Sequence, residues 1–309
     1  MTAHTVGLPL SLCFHTEKVL VCSFLAALGV DPVLSPPTDR RIMERGCTMA
    51  VDETCLPMKI HLGHVDALRD RVDAVLVPRY GVLPEAEGEM CAKFWAAYDI
   101  TRNTFPELPL LTYNVDRLWG DTERAALVGL GRELGATRLQ AYKAFSAARK
   151  EARREHERLV ALQERELAET TCERTVIVAG HTYILDDEMM GAPVVRMLRE
   201  QGVAVMRSDR VRGDSDLRHG ALEFSPGLKW TYNREQLGAV MAMRDRIDGI
   251  LLLLSFPCGP DSLVAELVQR KVRDIPVCAI VLDELTATGG LQTRIESFCD
   301  IVKLREARA

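Results

Sequence analysis

The chain has 309 residues, 47% of them hydrophobic and 27% charged, with a formal net charge of −5. That length accommodates two α/β lobes, each with its own core, and the acidic balance argues against a nucleic-acid partner. No stretch approaches the ~20 uninterrupted apolar residues of a membrane span, so a soluble, cytoplasmic protein is expected.

In the first half, Thr5 to Leu12, Pro32 to Leu34, Ala74 to Tyr80 and Leu108 to Val115 read as strands alternating with helical patterns. The apolar Val19 to Val30 segment lacks the basic lead of a signal sequence and reads as a helix ending at Gly29. From Thr122 to about Thr170 strand signals stop, and Gln140 to Leu167 is rich in Ala, Arg, Glu and Lys, which predicts a long helical connector. The mixed-charge run within it reads as a solvated helix face. Strands return at Thr175 to Ala179, Val203 to Arg207, Gly249 to Phe256 and Pro276 to Leu282. The expectation is an α/β protein of two Rossmann-like or flavodoxin-like lobes with parallel sheets: residues 1–120, a helical connector at 121–172, and residues 173–309.

The halves also resemble each other. Asp73-Ala-Val-Leu-Val-Pro-Arg-Tyr-Gly leads through a helix to Pro109-Leu-Leu-Thr-Tyr-Asn-Val-Asp, and Asp248-Gly-Ile-Leu-Leu-Leu-Leu-Ser-Phe leads likewise to Pro276-Val-Cys-Ala-Ile-Val-Leu-Asp. Parallel sheets collect ligands beyond the carboxyl ends of their strands, so the loops after Tyr80 and Phe256 are the expected functional edges.

Nine cysteines, an odd number scattered along the chain, do not suggest a disulfide framework and leave packing, catalysis or metal ligation. Cys258 stands before a helix opened by Gly259-Pro260, and Cys55 before one with Pro57 in its first turn. Cys91 precedes an aromatic-bearing helical pattern. A thiol at a helix N-terminus meets unpaired N–H groups and the positive end of the dipole, which suits a metal-bound sulfur. Cys278, Cys22 and Cys299, together with Cys47 and Cys172, read as packed thiols. Cys13, after the first strand, is a candidate fourth ligand. His15 and His181 follow the first strands of their lobes, and Lys59 and Arg294 offer positive charge, so these four are candidates for contacts to a cofactor or substrate. His61 and His64 share a helix without a zinc-ligand pattern and read as packed or surface residues. There is no phosphate loop, no Gly-x-Gly-x-x-Gly after the first strand and no Gly-x-Ser-x-Gly elbow.

Several segments carry a resemblance. Val6-Gly-Leu-Pro, Ser35-Pro-Pro-Thr, Asp52-Glu-Thr-Cys-Leu-Pro-Met-Lys, Gly63-His-Val and Cys91-Ala-Lys-Phe are followed by Gly180-His-Thr-Tyr, Lys229-Trp-Thr-Tyr, Phe256-Pro-Cys-Gly-Pro-Asp-Ser-Leu and Thr293-Arg-Ile-Glu-Ser-Phe. In this order they resemble the 2-hydroxyacyl-CoA dehydratase components and the CoA-enzyme activase-related proteins grouped with them. The chain departs from that pattern at Thr182, where family members often carry Pro, and at Asp283-Glu284-Leu285.

The resemblance implies a [4Fe-4S] cluster held by cysteines of both lobes, here Cys55, Cys91 and Cys258, and reduced by a separate ATP-hydrolysing activase. In the dehydratases the electron enters the thioester carbonyl of an acyl-CoA substrate, and the radical expels hydroxide and acidifies the β-proton. The expected function is accordingly a dehydratase-like lyase or a low-potential reductase of anaerobic metabolism, as a homodimer or paired with a paralogous subunit. The competing reading is a two-lobed binding or regulatory protein without redox chemistry, its cysteines packed or bound to zinc.

Overall fold

The structure, a computed structural model, describes residues 3–83, 88–286 and 288–304. The chain forms two compact units, Met1–Glu157 and Arg158–Ala309.

The first unit begins with β1 (Thr5–Leu8), α1 (Phe14–Ala27), β2 (Asp31–Leu34), α2 (Arg40–Met49) and α3 (Leu56–Leu68). It continues with β3 (Ala74–Leu76), β4 (Arg79–Tyr80), α4 (Ala92–Thr104), β5 (Leu110–Leu111), β6 (Asn114–Val115) and α5 (Glu123–Glu133), and then enters α6 (Arg138–Glu169). The strands are parallel, in the order β2-β1-β3-β5. β4 and β6 extend the β3–β5 pair, because Val77, Arg79 and Gly81 donate in turn to the carbonyls of Leu111, Tyr113 and Val115.

Sequence dictates the element ends. α1 is an apolar segment that stops where Gly29 takes a left-handed conformation, φ 76°. Asp39 caps α2 by accepting from the Ile42 N–H at 2.8 Å. α2 and α3 cross at glycines: a Cβ on Gly46 would lie 1.9 Å from the Lys59 carbonyl oxygen, and one on Gly63 would lie 2.0 Å from that of Ile42. Only a residue without a side chain allows that approach.

The second unit contains β7 (Thr175–Ala179), α7 (Thr182–Leu185), α8 (Gly191–Glu200), β8 (Ala204–Arg207), α9 (Asp214–Phe224), α10 (Thr231–Ala242), β9 (Gly249–Ser255), α11 (Gly259–Lys271), β10 (Val277–Leu282) and α12 (Thr288–Leu304). Its sheet is again parallel, with β8-β7-β9-β10 as its order. All seven residues of β9 are buried, the pattern of a central parallel strand covered on both faces. Ile250, Leu252 and Leu254 pack with Ile177, Leu237, Val240, Val264 and Val268 into one core.

The duplication suggested by the sequence is a duplication of topology. Numbered by appearance within each unit, both sheets place the second strand outside the first and the first beside the third. Matching hydrogen bonds mark the register. Asp73 accepts from the Thr5 N–H and Asp248 from the Thr175 N–H, each at 2.8 Å. Ser35 Oγ accepts from the Leu10 N–H at 2.7 Å, and Ser208 Oγ from the Gly180 N–H at 3.3 Å. Val75 donates to Pro109 and Ile250 to Pro276.

The long connector is two helices. Ala141, Ala144, Phe145 and Ala148 of α6 are buried in the first unit, where the α5 residue Gly131 lies against Ala141, Leu28 and Phe24. Further along, Gln163 bonds the backbone of Arg207 and Arg210 in the second unit. Among the described residues no helix is long and apolar enough to cross a membrane.

Candidate functional site

Cys55, Cys91 and Cys258 are the N-cap residues of α3, α4 and α11. Each is partly buried and in extended backbone conformation, and none accepts a capping hydrogen bond from its helix's backbone N–H groups. In a β-α-β unit the helix runs back along the sheet, so its N-terminus lies at the carboxyl edge of the strands. Within the first unit this puts Cys55 and Cys91 on the carboxyl edge, and within the second it puts Cys258 there. Cys91 and Cys258 occupy corresponding positions in the two units, while Trp230, the N-cap of α10, corresponds to Cys55.

The other candidates are positioned as follows. Cys13, before α1, is fully buried; burial, and then the charge of Glu17, push its thiol well above the ordinary range. Burial thus disfavours the thiolate that ligation would need at this cysteine. Glu17 is itself raised to about 7 by burial and by Glu123, against the opposing pull of Arg149. His15 and Lys59 are buried on the first turns of α1 and α3. Arg294 on α12 donates to the Ala279 carbonyl at 2.7 Å, a bond that ties the helix to β10.

His61 and His64 are interior residues. His61 lies 2.9 Å from Ser11 Oγ and 3.1 Å from Thr101 Oγ1, and His64 lies 2.8 Å from Ser35 Oγ and 3.0 Å from Thr38 Oγ1. Ser35 accepts from the Leu10 N–H, so its own proton is available to His64 Nδ1. Burial lowers His61 to about 4; burial together with His15 and His61 lowers His64 to about 3. Both rings are neutral at physiological pH.

The second unit holds a different polar group. His181, the N-cap of α7, lies with Nε2 2.7 Å from Oδ1 of Asp261, in the first turn of α11. Asn233 Nδ2, on the first turn of α10, donates to the same oxygen at 2.8 Å, and the Cys258 thiol also hydrogen-bonds this carboxylate. The His181 ring stacks on Tyr183 with centroids 5.0 Å apart and an interplanar angle of 22°, and Tyr232 lies 6.0 Å away. Burial pushes the Asp261 carboxyl up, but the His181 charge and the hydrogen bonds from His181, Asn233 and Cys258 outweigh it and hold the group below its usual range.

Sequence reasoning missed Asp261 and Asn233. Asp261 was visible as an acidic residue in the first helical turn after Cys258, yet its partner is 80 positions away. Within each unit, among the described residues, no three His, Cys, Asp or Glu side chains form a group able to hold a metal.

The architecture is that of a two-unit α/β protein whose parallel sheets each present helix N-termini and cysteine caps at the carboxyl edge. Residues 5–211 match the model of the domain described as "CoA enzyme activase uncharacterised domain" (DUF2229). The chain belongs to this CoA-enzyme activase-related family. No curated protein matches the chain. Among solved structures it is similar to the Cd-bound periplasmic metal binding protein of Candidatus Liberibacter asiaticus at 14% identity, covering 97% of this chain and 98% of that one, with a TM-score of 0.28. It is also similar to a ZnuA deletion mutant with zinc bound, at 13% identity with 99% and 100% coverage and a TM-score of 0.27. The SBP FpvC of Pseudomonas aeruginosa in complex with Mn2+ matches at 14% identity over 96% of each chain, TM-score 0.26. At these scores the likenesses carry no argument about function.

Proposed function

We propose that the protein is an iron-sulfur redox member of the activase-related family, its cluster bound through Cys55, Cys91 and Cys258 and reduced by a separate ATP-hydrolysing activase. The observation that carries the reading is the shared placement of these three thiols. Each is the N-cap of a helix at a sheet's carboxyl edge and lies where N–H groups and the helix dipole favour negative charge. Soft thiolate donors suit iron-sulfur chemistry, which supports the reading.

A bound cluster would supply one-electron chemistry at low potential. The chain's own part is to offer each sulfur at a helix N-terminus, where N–H groups favour its negative charge. Family membership supports the coupling to an activase, and the resemblance supports a 2-hydroxyacyl-CoA or related acyl-CoA as substrate, in dehydration or low-potential reduction, in the cytoplasm.

The test is anaerobic purification with iron and sulfide assays. The expected protein is brown and bleaches with dithionite. Single Cys55→Ser, Cys91→Ser or Cys258→Ser exchanges lower iron content severalfold, whereas Cys278→Ser in β10 and Cys299→Ser in α12 leave it unchanged. Full iron retention by Cys258→Ser, or colourless protein with stoichiometric zinc, would overturn the proposal in favour of a non-redox binding protein.

A further inference from the structure

We propose that the groove between α9 and α10 in the second unit binds a linear aliphatic polyamine, its terminal ammonium groups held by Asp216 and Glu223. This groove is where the matching helix pairs of the two units part company. Gly63 and Gly238 press on the carbonyls of Ile42 and Leu217, so α2 and α3 correspond residue for residue to α9 and α10. Three positions beyond those contacts the first unit carries Arg45 and Asp66, whose side chains join across the two helices at 3.0 and 3.2 Å. The second unit carries Gly220 and Met241 at those positions, and in place of the bridge it has an open cavity of about 510 Å³.

Packing does not account for the opening. A Cβ on Gly220 would meet no atom within 4 Å, and the backbone there is not left-handed. Glycine in a helix interior weakens the helix, so neither sterics nor propensity calls for it at this position. The volume is in the range of small-molecule sites. Leu217, Phe224 and Met241 give the groove apolar lining, and Asp216 and Glu223 give it charge.

The charge specifies the occupant. Asp216 and Glu223 stand seven residues apart on α9, two turns along one wall, which places them about 10 Å apart along the helix axis. Both are exposed, and neither has an ion-pair partner among the described residues. Their counterparts in the first unit are Arg41 and Thr48, so the acidic wall belongs to the second unit alone. Arg212 also lines the groove, but it lies near Glu164 and joins Arg246 in holding that carboxyl below its ordinary range, so its charge is already offset.

In the first unit an alkyl chain with a cationic head, the Arg45 side chain, crosses the matching space to a carboxylate. A polyamine reproduces that chemistry as a free molecule. Its methylenes cover Leu217, Phe224 and Met241, and its two ends meet two carboxylates that a single ammonium could not both reach.

The experiment is isothermal titration calorimetry of spermidine into the full chain at physiological ionic strength. Saturable binding at one site is expected. Asp216→Asn and Glu223→Gln should each weaken it about fivefold, the worth of one exposed ion pair, and octylamine, with one ammonium, should bind more weakly by a similar factor. Gly220→Arg combined with Met241→Asp rebuilds the first unit's bridge and should abolish binding in protein whose circular dichroism is unchanged. No cysteine lines the groove, so the same outcome is expected with and without iron, and it stands or falls separately from the redox reading. Absence of saturable binding to the wild-type chain, unchanged affinity in both carboxylate variants, or full affinity in the folded double variant would overturn the proposal.

Discussion

The two units share a strand order, a carboxylate that anchors the first strand, a serine that fastens the loop after it, and a cysteine cap on the helix after the third strand. They differ in how their buried polar groups are paired. The first unit encloses two neutral histidines, each satisfied by hydroxyls, in its interior. The second encloses an ion-bearing cluster at its edge, in contact with a candidate metal ligand. One scaffold therefore tolerates both arrangements, and the residues that differ at matching positions are the informative ones.

The largest expected effect tests what the units share. Gly63→Ala puts a Cβ 2.0 Å from the Ile42 carbonyl oxygen, and Gly238→Ala puts one 1.8 Å from that of Leu217. Backbone cannot yield as a side-chain tip does, so each variant is expected to lose about 3 kcal/mol or more. Hydrogen-exchange mass spectrometry should register the loss in the first unit for Gly63→Ala and in the second for Gly238→Ala; a loss in the other unit would break the comparison.

Acid should separate the units next. His61 and His64 take up protons in the unfolded chain below about pH 6.5 but in the folded chain only near 4 and 3. Because the unfolded state binds more protons in that window, stability falls as pH drops through it, by roughly 2 kcal/mol per histidine at pH 5. Asp261 has the opposite charge logic. Its depressed carboxyl contributes stability above its unfolded pKa, and that contribution is lost only as pH falls below the ordinary carboxylate range. Glu17, raised to about 7 by burial, acts the other way, because the folded first unit binds its proton before the unfolded chain does, and it offsets about one of the two histidines between pH 7 and pH 5. Urea unfolding followed by unit-resolved hydrogen exchange at the two pH values should still show the first unit weakening, by less than the histidines alone would give, while the second holds.

The smallest effect concerns the strand anchors. Asp248→Ala removes the acceptor for the Thr175 N–H and the partner of Arg174, and should cost about 1 kcal/mol by thermal denaturation. Asp73→Ala removes the acceptor of two backbone N–H groups, those of His4 and Thr5, but it is a water-exposed carboxylate, so its loss should be smaller. A larger loss at Asp73 would mean that the first unit depends more on this anchor than the second does.

Much of this was decided by local sequence. Continuous apolar runs such as Gly249 to Ser255 form strands because both faces must be buried, and Pro57 and Gly259-Pro260 open helices behind cysteines because their backbone preferences suit first turns. The internal repeat was likewise legible, since Asp73 and Asp248 head matching apolar runs. Tertiary structure alone decided the pairings. Asp261 meets His181 80 residues away, and His61 meets Ser11 50 residues away, because strand order brings loops of distant sequence to one edge or one interior. Periodicity records which face of an element is buried; it carries no information about which partner waits there. For that reason the cysteine caps were visible residue by residue, whereas the carboxylate that organises the second unit's edge emerged only from the fold.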